Sequence, residues 1–346
     1  MTVLGATCLR NEAPYIVDWL AHHLAFGFDH FVFCTHDCDD GSTELLDALA
    51  ATGHVTHLPF QPSGDKTVQW QALKIINKHK LTKSFEYALF FDVDEYLNAP
   101  EPANSVQDII AASDGADGIA IPWRFYGSAQ IEHYKDAPVT QRFTRAAPRD
   151  LHYPLAHLFK SLVRPSAFRQ LGVHRPRHKK DTQPRWALAG GPPLPPQLAG
   201  NDKAITLYGF SPSTGPKTPV LNHYSLRSAE EFMLKRDRGL PNHADRVLGA
   251  DYWAERNWNT QEDTSVSRMS QSVADKRSEL MDIKGVRAAH ETGVMWHKNK
   301  IKKLRQNVDN VRFLWRLGLL TGSTEPTAER AKAYLHAQME AMSAHG

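Results

Sequence analysis

Residues 2–9 (TVLGATCL) form a short apolar run rich in strand formers. After the polar break Arg10-Asn11-Glu12 and Pro14, the apolar positions Ile16, Trp19, Leu20 and Leu24 recur at helical spacing, and Gly27 ends the pattern. A second strand-like run, residues 30–35 (HFVFCT), leads into the polar loop HDCDDGST. Ser42 is placed there to cap a helix carrying Leu45, Leu46 and Leu49 that stops at Gly53. Residues 55–60 predict a third strand, and Val68, Ala72, Ile75 and Ile76 a third helix. Residues 87–91 (YALFF) are then apolar throughout, as in a strand buried on both faces, and end abruptly in Asp92-Val93-Asp94-Glu95.

Strands alternating with helices predict an α/β fold with a Rossmann-like, mostly parallel sheet flanked by helices. Ligands of such sheets sit at the carboxyl ends of the strands. Three polar clusters fall there: Arg10 to Glu12, Asp37 to Thr43, and Asp92 to Glu95. Residues 115–220, richer in Pro, Arg and aromatics, are expected to complete the sheet and form an acceptor side. From residue 229 helix patterns return, so the expected division is a catalytic domain over 1–228 and a helical region over 229–346. One stripe, Ile301, Leu304, Val308, Val311, Leu314 and Leu317, lies beside Lys298, Lys300, Lys302, Lys303 and Arg305. Packing on the catalytic domain or a second subunit is the usual fate of such a face. Peripheral contact with an anionic membrane is the other.

With 41 Lys and Arg against 38 Asp and Glu in 346 residues, no field of one sign points to a nucleic acid. Charged residues at 23% and hydrophobic ones at 41% exclude a disordered chain or a coiled-coil rod. Cys8, Cys34 and Cys38 form neither a CxxC pair nor a disulfide framework. Without a leader pattern or a long apolar run, a cytoplasmic protein is expected, at most peripheral at a membrane.

Side chains at i and i+2 of an extended segment point the same way, so Asp92 and Asp94 are expected to offer oxygens to one Mn²⁺ or Mg²⁺. Water and substrate phosphate would complete its shell, and the ion could neutralise charge on a departing diphosphate. An isolated D-x-D more often merely starts a turn. Its place after a buried fourth strand favours the metal.

The ordered blocks CLRNEAPYIVDWLAHHLAFGFDHFVFCTHDCDDGSTELLDAL, FFDVDEYL, WRFYGS, KSLVRP, HRP and NHYSLRSAEEFMLKRDRG resemble the family-2-like glycosyltransferases of bacteria with the GT-A nucleotide-sugar fold. The resemblance spans residues 3 to about 266. It implies a nucleotide-diphosphate-sugar donor, with Arg10, Asn11, Glu12, Asp37, Asp40 and Asp92 at the nucleotide. Asp92 and Asp94 would form the metal motif, and His223 would complete the metal shell. His36 and Asp39 stand at variable places of the family loop, which leaves the base open.

The remaining candidates each have a plainer reading. Glu12 could only favour a helix N-terminus, and Asp37, Asp39 and Asp40 could be turn residues. Lys160 and Arg164 are candidates for the diphosphate or for salt bridges. Trp123, Arg124 and Tyr126 suit a sugar platform or a core. The basic run from His174 to Lys180 suits phosphate, an acidic acceptor or solvent. Asp263 and His174 are candidates for a general base. His223 gains weight because it precedes Ser228-Ala-Glu-Glu231, a capping box opening a helix that stops at Gly239.

The function expected is therefore metal-dependent transfer of a hexose from a UDP-sugar to a saccharide or glycolipid hydroxyl in surface polysaccharide or glycolipid synthesis. A nucleotidyltransferase is the second enzyme reading, without a Gly-rich phosphate loop to support it. A silent sugar-binding scaffold is the third, and intact Asp92, Asp94 and His223 argue against it.

Overall fold

The computed structural model describes residues 1–64, 66–209, 215, 217–239 and 248–344. The first part alternates as its pattern predicts: β1 (Val3–Leu9), α1 (Ala13–Ala25), β2 (His30–Thr35), α2 (Ser42–Ala50), β3 (Val55–Pro59), α3 (Val68–Lys78) and β4 (Tyr87–Phe90). Then come β5 (Glu95–Asn98), α4 (Val106–Ala112), β6 (Gly118–Phe125), β7 (Phe159–Val163), β8 (Trp186–Leu188) and β9 (Val220–His223). Helices follow: α5 (Ala229–Arg238), α6 (Ala250–Arg256), α7 (Ser270–Met281), α8 (Val286–Leu304), α9 (Val308–Leu319) and α10 (Ala328–Ala344).

The sheet runs β3-β2-β1-β4-β7-β6-β9-β5, with β8 also paired to β6. The pairings β1·β2, β2·β3, β1·β4, β6·β8 and β6·β9 are parallel. Those of β7 with β4 and β6, and of β5 with β9, are antiparallel. Alternate residues of the central strands feed two cores. Phe31, Phe33 and Leu89 pack with α1, α2 and α4, while Val32, Cys34 and Ala88 pack with Ala72, Leu73 and Ile76 of α3. Burial on both faces is why these strands read as unbroken apolar runs. Trp19 fills the first core between Phe31, Phe33 and Phe91, and its indole N–H donates to Glu95 O at 2.8 Å, bracing the turn after β4.

Three local expectations change. Asp92-Val93-Asp94 is not extended: Glu95 N–H bonds to Asp92 O at 3.0 Å, making a tight turn from which β5 departs to pair with β9. Ser42 does not cap α2 but is its first residue, Gly41 preceding it at φ 84°. The stripe from Ile301 to Leu317 is not one face. Asn307 breaks the helix and caps α9, its Oδ1 accepting from Asp309 N at 2.8 Å. Ile301, Leu314 and Leu317 are buried with Phe232 and Trp253, whereas Val308 and Val311 are exposed.

Candidate functional site

The loops after β1 and β2 are knitted into one platform. Arg10 Nε donates to Asp37 O (3.1 Å), Asn11 Oδ1 accepts from Asp39 N (2.8 Å), and Glu12 N donates to Ser42 Oγ (3.1 Å). Asp40 lies beneath, fully buried. Its carboxylate accepts from Ala13 N at 2.9 Å, Ser42 N at 3.0 Å, Ser42 Oγ at 2.6 Å and His297 Nε2 at 3.0 Å. These bonds outweigh burial and lower its pKa. Asp40 thus faces the protein interior. It ties α8 to α1, an approach close enough that a Cβ on Gly293 would come within 2.4 Å of Ala13 Cβ.

At the end of β4, Asp94 and Asp92 face different partners. One Asp94 oxygen lies 3.6 Å from His223 Nε2 and the other 2.8 Å from Lys235 Nζ. Burial alone would raise the Asp94 pKa, but Lys235 and His223 hold it well below the usual carboxylate range. Asp92 instead accepts from Gln69 Nε2 at 3.1 Å and from the buried Lys160 Nζ at 3.0 Å. Between them Glu95 is wholly buried. Burial pushes its carboxyl well above the usual range in spite of Lys160 3.7 Å away.

Among the described residues no three His, Cys, Asp or Glu side chains converge as metal ligands, so the set Asp92, Asp94 and His223 is not assembled. Asp94 and His223 do fit a divalent cation as a pair. Their facing atoms are close enough to share one ion, and burial lowers the His223 pKa, keeping a neutral imidazole for coordination. A hard cation bound by so few protein ligands takes the rest from water and phosphate oxygens.

α5 supplies two of the cations. Its capping box is present, with Ser228 Oγ and the Glu231 carboxylate exchanging bonds with the opposite backbone N–H groups. Lys235 and Arg238, three residues apart, share one face, and both line the cleft with Arg10, Arg227, Glu12 and Asp94. Glu12 is paired with Arg227 at 2.8 Å and with Arg238. Although burial works against it, the two guanidinium groups bring its pKa to about 2. Arg227 stacks on Tyr15, 3.5 Å from the ring centroid. Among the described residues its Nε and Nη2 are buried without a hydrogen-bond partner.

The other predicted residues divide by place. Trp123 leans on His223 (ring centroids 4.4 Å apart) and His174 (5.2 Å), beside the Asp94 end of the cleft. His174 donates Nδ1–H to Phe159 O at 3.0 Å, and burial lowers its pKa to about 4, which makes it a weak proton acceptor near neutrality. Arg124 is paired with Asp263 and also bonds Ala147 O at 3.1 Å, and Tyr126 is buried against Tyr224. Arg164 bonds Tyr87 OH at 2.8 Å, at the start of β4 and so at the opposite end of the strand from Asp94. Asp37 is half-exposed and pairs with His36 at 3.0 Å.

Sequence reasoning assigned no role to Arg227, Lys235, Arg238 or His297. The capping box before α5, with cations at helical spacing inside it, was a usable signal for Lys235 and Arg238. His297 had none, since its partner lies 257 positions away.

This α/β platform, with polar loops and a carboxylate turn at the strand ends, is that of a sugar-transferring enzyme family. The chain belongs to glycosyltransferase family 92, whose model matches residues 6–189, more than half of the sequence. The family match ends before β9 and α5, so His223, Lys235 and Arg238 lie outside it. A curated relative, glycosyltransferase family 92 protein Os08g0121900 of Oryza sativa subsp. japonica, is 27% identical over 107 residues. That stretch is 30% of this chain and 17% of the rice protein. Similar solved structures include S. aureus TarS 1-349, at 13% identity over 84% of this chain and 91% of that one, with a TM-score of 0.36. TarS 1-349 in complex with UDP aligns over 48% of each chain at 14% identity, with a TM-score of 0.32.

Proposed function

We propose that this protein transfers a sugar from a UDP-sugar to the hydroxyl of a saccharide or glycolipid acceptor, using a GT-A-type site with a divalent cation held by Asp94 and His223. The observation that carries the reading is one cleft lined by four cationic side chains, Arg10, Arg227, Lys235 and Arg238, together with Asp94. Guanidinium and ammonium donors gathered in one cleft suit the oxygens of a diphosphate. Lys160, given to Asp92 and Glu95, instead stiffens the turn that presents Asp94.

The platform of Arg10 to Glu12 and Asp37 to Asp39 would hold the nucleoside, and Trp123 beside His223 offers an apolar face for the sugar. A cation bound by Asp94 and His223 would neutralise charge on the departing diphosphate. Arg10, Lys235 and Arg238, which line the same cleft, would stabilise the same charge. Family membership and the strand-end position of the cleft support this reading. The test is UDP release from a panel of UDP-sugars with Mn²⁺ or EDTA, water serving as a poor acceptor. One donor is expected to turn over only with metal. If no UDP-sugar is hydrolysed and UDP gives no thermal shift with Mn²⁺ present, the reading fails.

A further inference from the structure

Helix α9 has two apolar faces, and among the described residues only one is packed. Phe313, Leu314 and Leu317 are buried in the core that includes Phe232 of α5 and Trp253 of α6. On the opposite side Val308, Val311, Trp315 and Leu319, spaced by three and four residues, are 60, 44, 73 and 72% exposed. Arg312 and Arg316 flank that stripe and are exposed. So are Lys302 and Lys303 at the end of α8. Asp309, in contact with Arg312 at 3.3 Å, is the acidic residue on α9.

We propose that this face of α9 docks flat on a bilayer surface containing anionic lipid. Its aliphatic side chains and Trp315 suit the headgroup boundary, where an amphipathic helix lies in the plane with its apolar face down. The flanking Arg312 and Arg316 match a negative surface potential. A second copy of the chain fits less well. A two-fold contact through one helix face would bring Arg312 and Arg316 toward their own counterparts, and four side chains fall short of the roughly 800 Å² per partner of a stable dimer. No helix among the described residues is long and apolar enough to cross a membrane, so the contact is one of lying on the surface.

Vesicle co-sedimentation of the full chain tests this, comparing phosphatidylcholine vesicles with vesicles of phosphatidylcholine and phosphatidylglycerol. Binding is expected only with phosphatidylglycerol, and to fall steeply in 0.5 M salt. W315S/L319S and R312E/R316E should each weaken it by about tenfold or more with unchanged melting curves. No binding at low salt, or binding that both variants retain, overturns the proposal. So does a concentration-dependent dimer that W315S/L319S abolishes, since a second copy would then cover the face. None of these outcomes depends on donor turnover, so the docking and the transferase reading fail separately.

Discussion

Lys235 Nζ and His223 Nε2 approach opposite oxygens of Asp94, at 2.8 and 3.6 Å. One carboxylate therefore faces both a resident ammonium and the imidazole proposed to share a divalent ion with it. Burial disfavours every charge here, yet Asp94 raises the Lys235 pKa, so the pair persists at neutral pH. A bound cation and Lys235 would share the same negative charge, and diphosphate oxygens would take up the excess positive charge.

Lys235→Met removes the ammonium and leaves Asp94 buried with a weaker partner. The variant should lose about 3–5 kcal/mol of stability without metal. Mn²⁺ should restore more of its melting temperature than it adds to the wild type, because the ion no longer competes with Lys235. UDP affinity should fall by about tenfold or more, measured by calorimetry.

Asp94→Asn and Asp92→Asn should part company. The first is expected to abolish the Mn²⁺-dependent thermal shift. Asp92→Asn should keep that shift while losing about 1–3 kcal/mol of stability, since Lys160 would retain only Glu95 at 3.7 Å. Equal loss of the metal response in both would mean that Asp92 is a ligand after all.

Glu12 predicts an acid-sensitive link between the β1 loop and α5. Its folded pKa is depressed from 4.5 to about 2, so its stabilisation is present above pH 4.5 and is lost as pH falls toward 2. The contribution is up to about 3 kcal/mol. Glu12→Gln should remove that part of the pH dependence in denaturant melts between pH 4.5 and 2, as well as lowering stability at pH 7.

Asp40→Asn should destabilise the fold by about 3–5 kcal/mol, because an amide cannot accept all the bonds now made by Ala13, Ser42 and His297. A double-mutant cycle with His297→Leu should give a coupling of about 1 kcal/mol or more, reporting the α1 to α8 tie directly.

Much of the fold was legible because it is local. The alternation from β1 to β4 follows from the period of apolar positions, and the unbroken run of residues 87–91 announced a strand covered on both sides. The capping box of Ser228 and Glu231 was readable for the same reason, since its partners lie three residues apart. The clusters Arg10 to Glu12 and Asp92 to Glu95 could be assigned to strand ends, and so to one cleft, from topology alone.

What each side chain does within that cleft depended on partners remote in the sequence. Asp92 and Asp94 are two residues apart, yet a turn sends one to Lys160 and the other to His223 and Lys235. Asp40 looked like a nucleotide contact until His297 was found bound to it across the fold. The apolar residues of α9 likewise looked like one stripe with those of α8, and Asn307 together with the core around Phe232 divided them. Hydrophobic periodicity determines elements and faces because it acts over a few residues of chain. The division of charges among carboxylates, and of apolar faces between core and surface, is decided by desolvation and close packing, which exist only once distant segments meet.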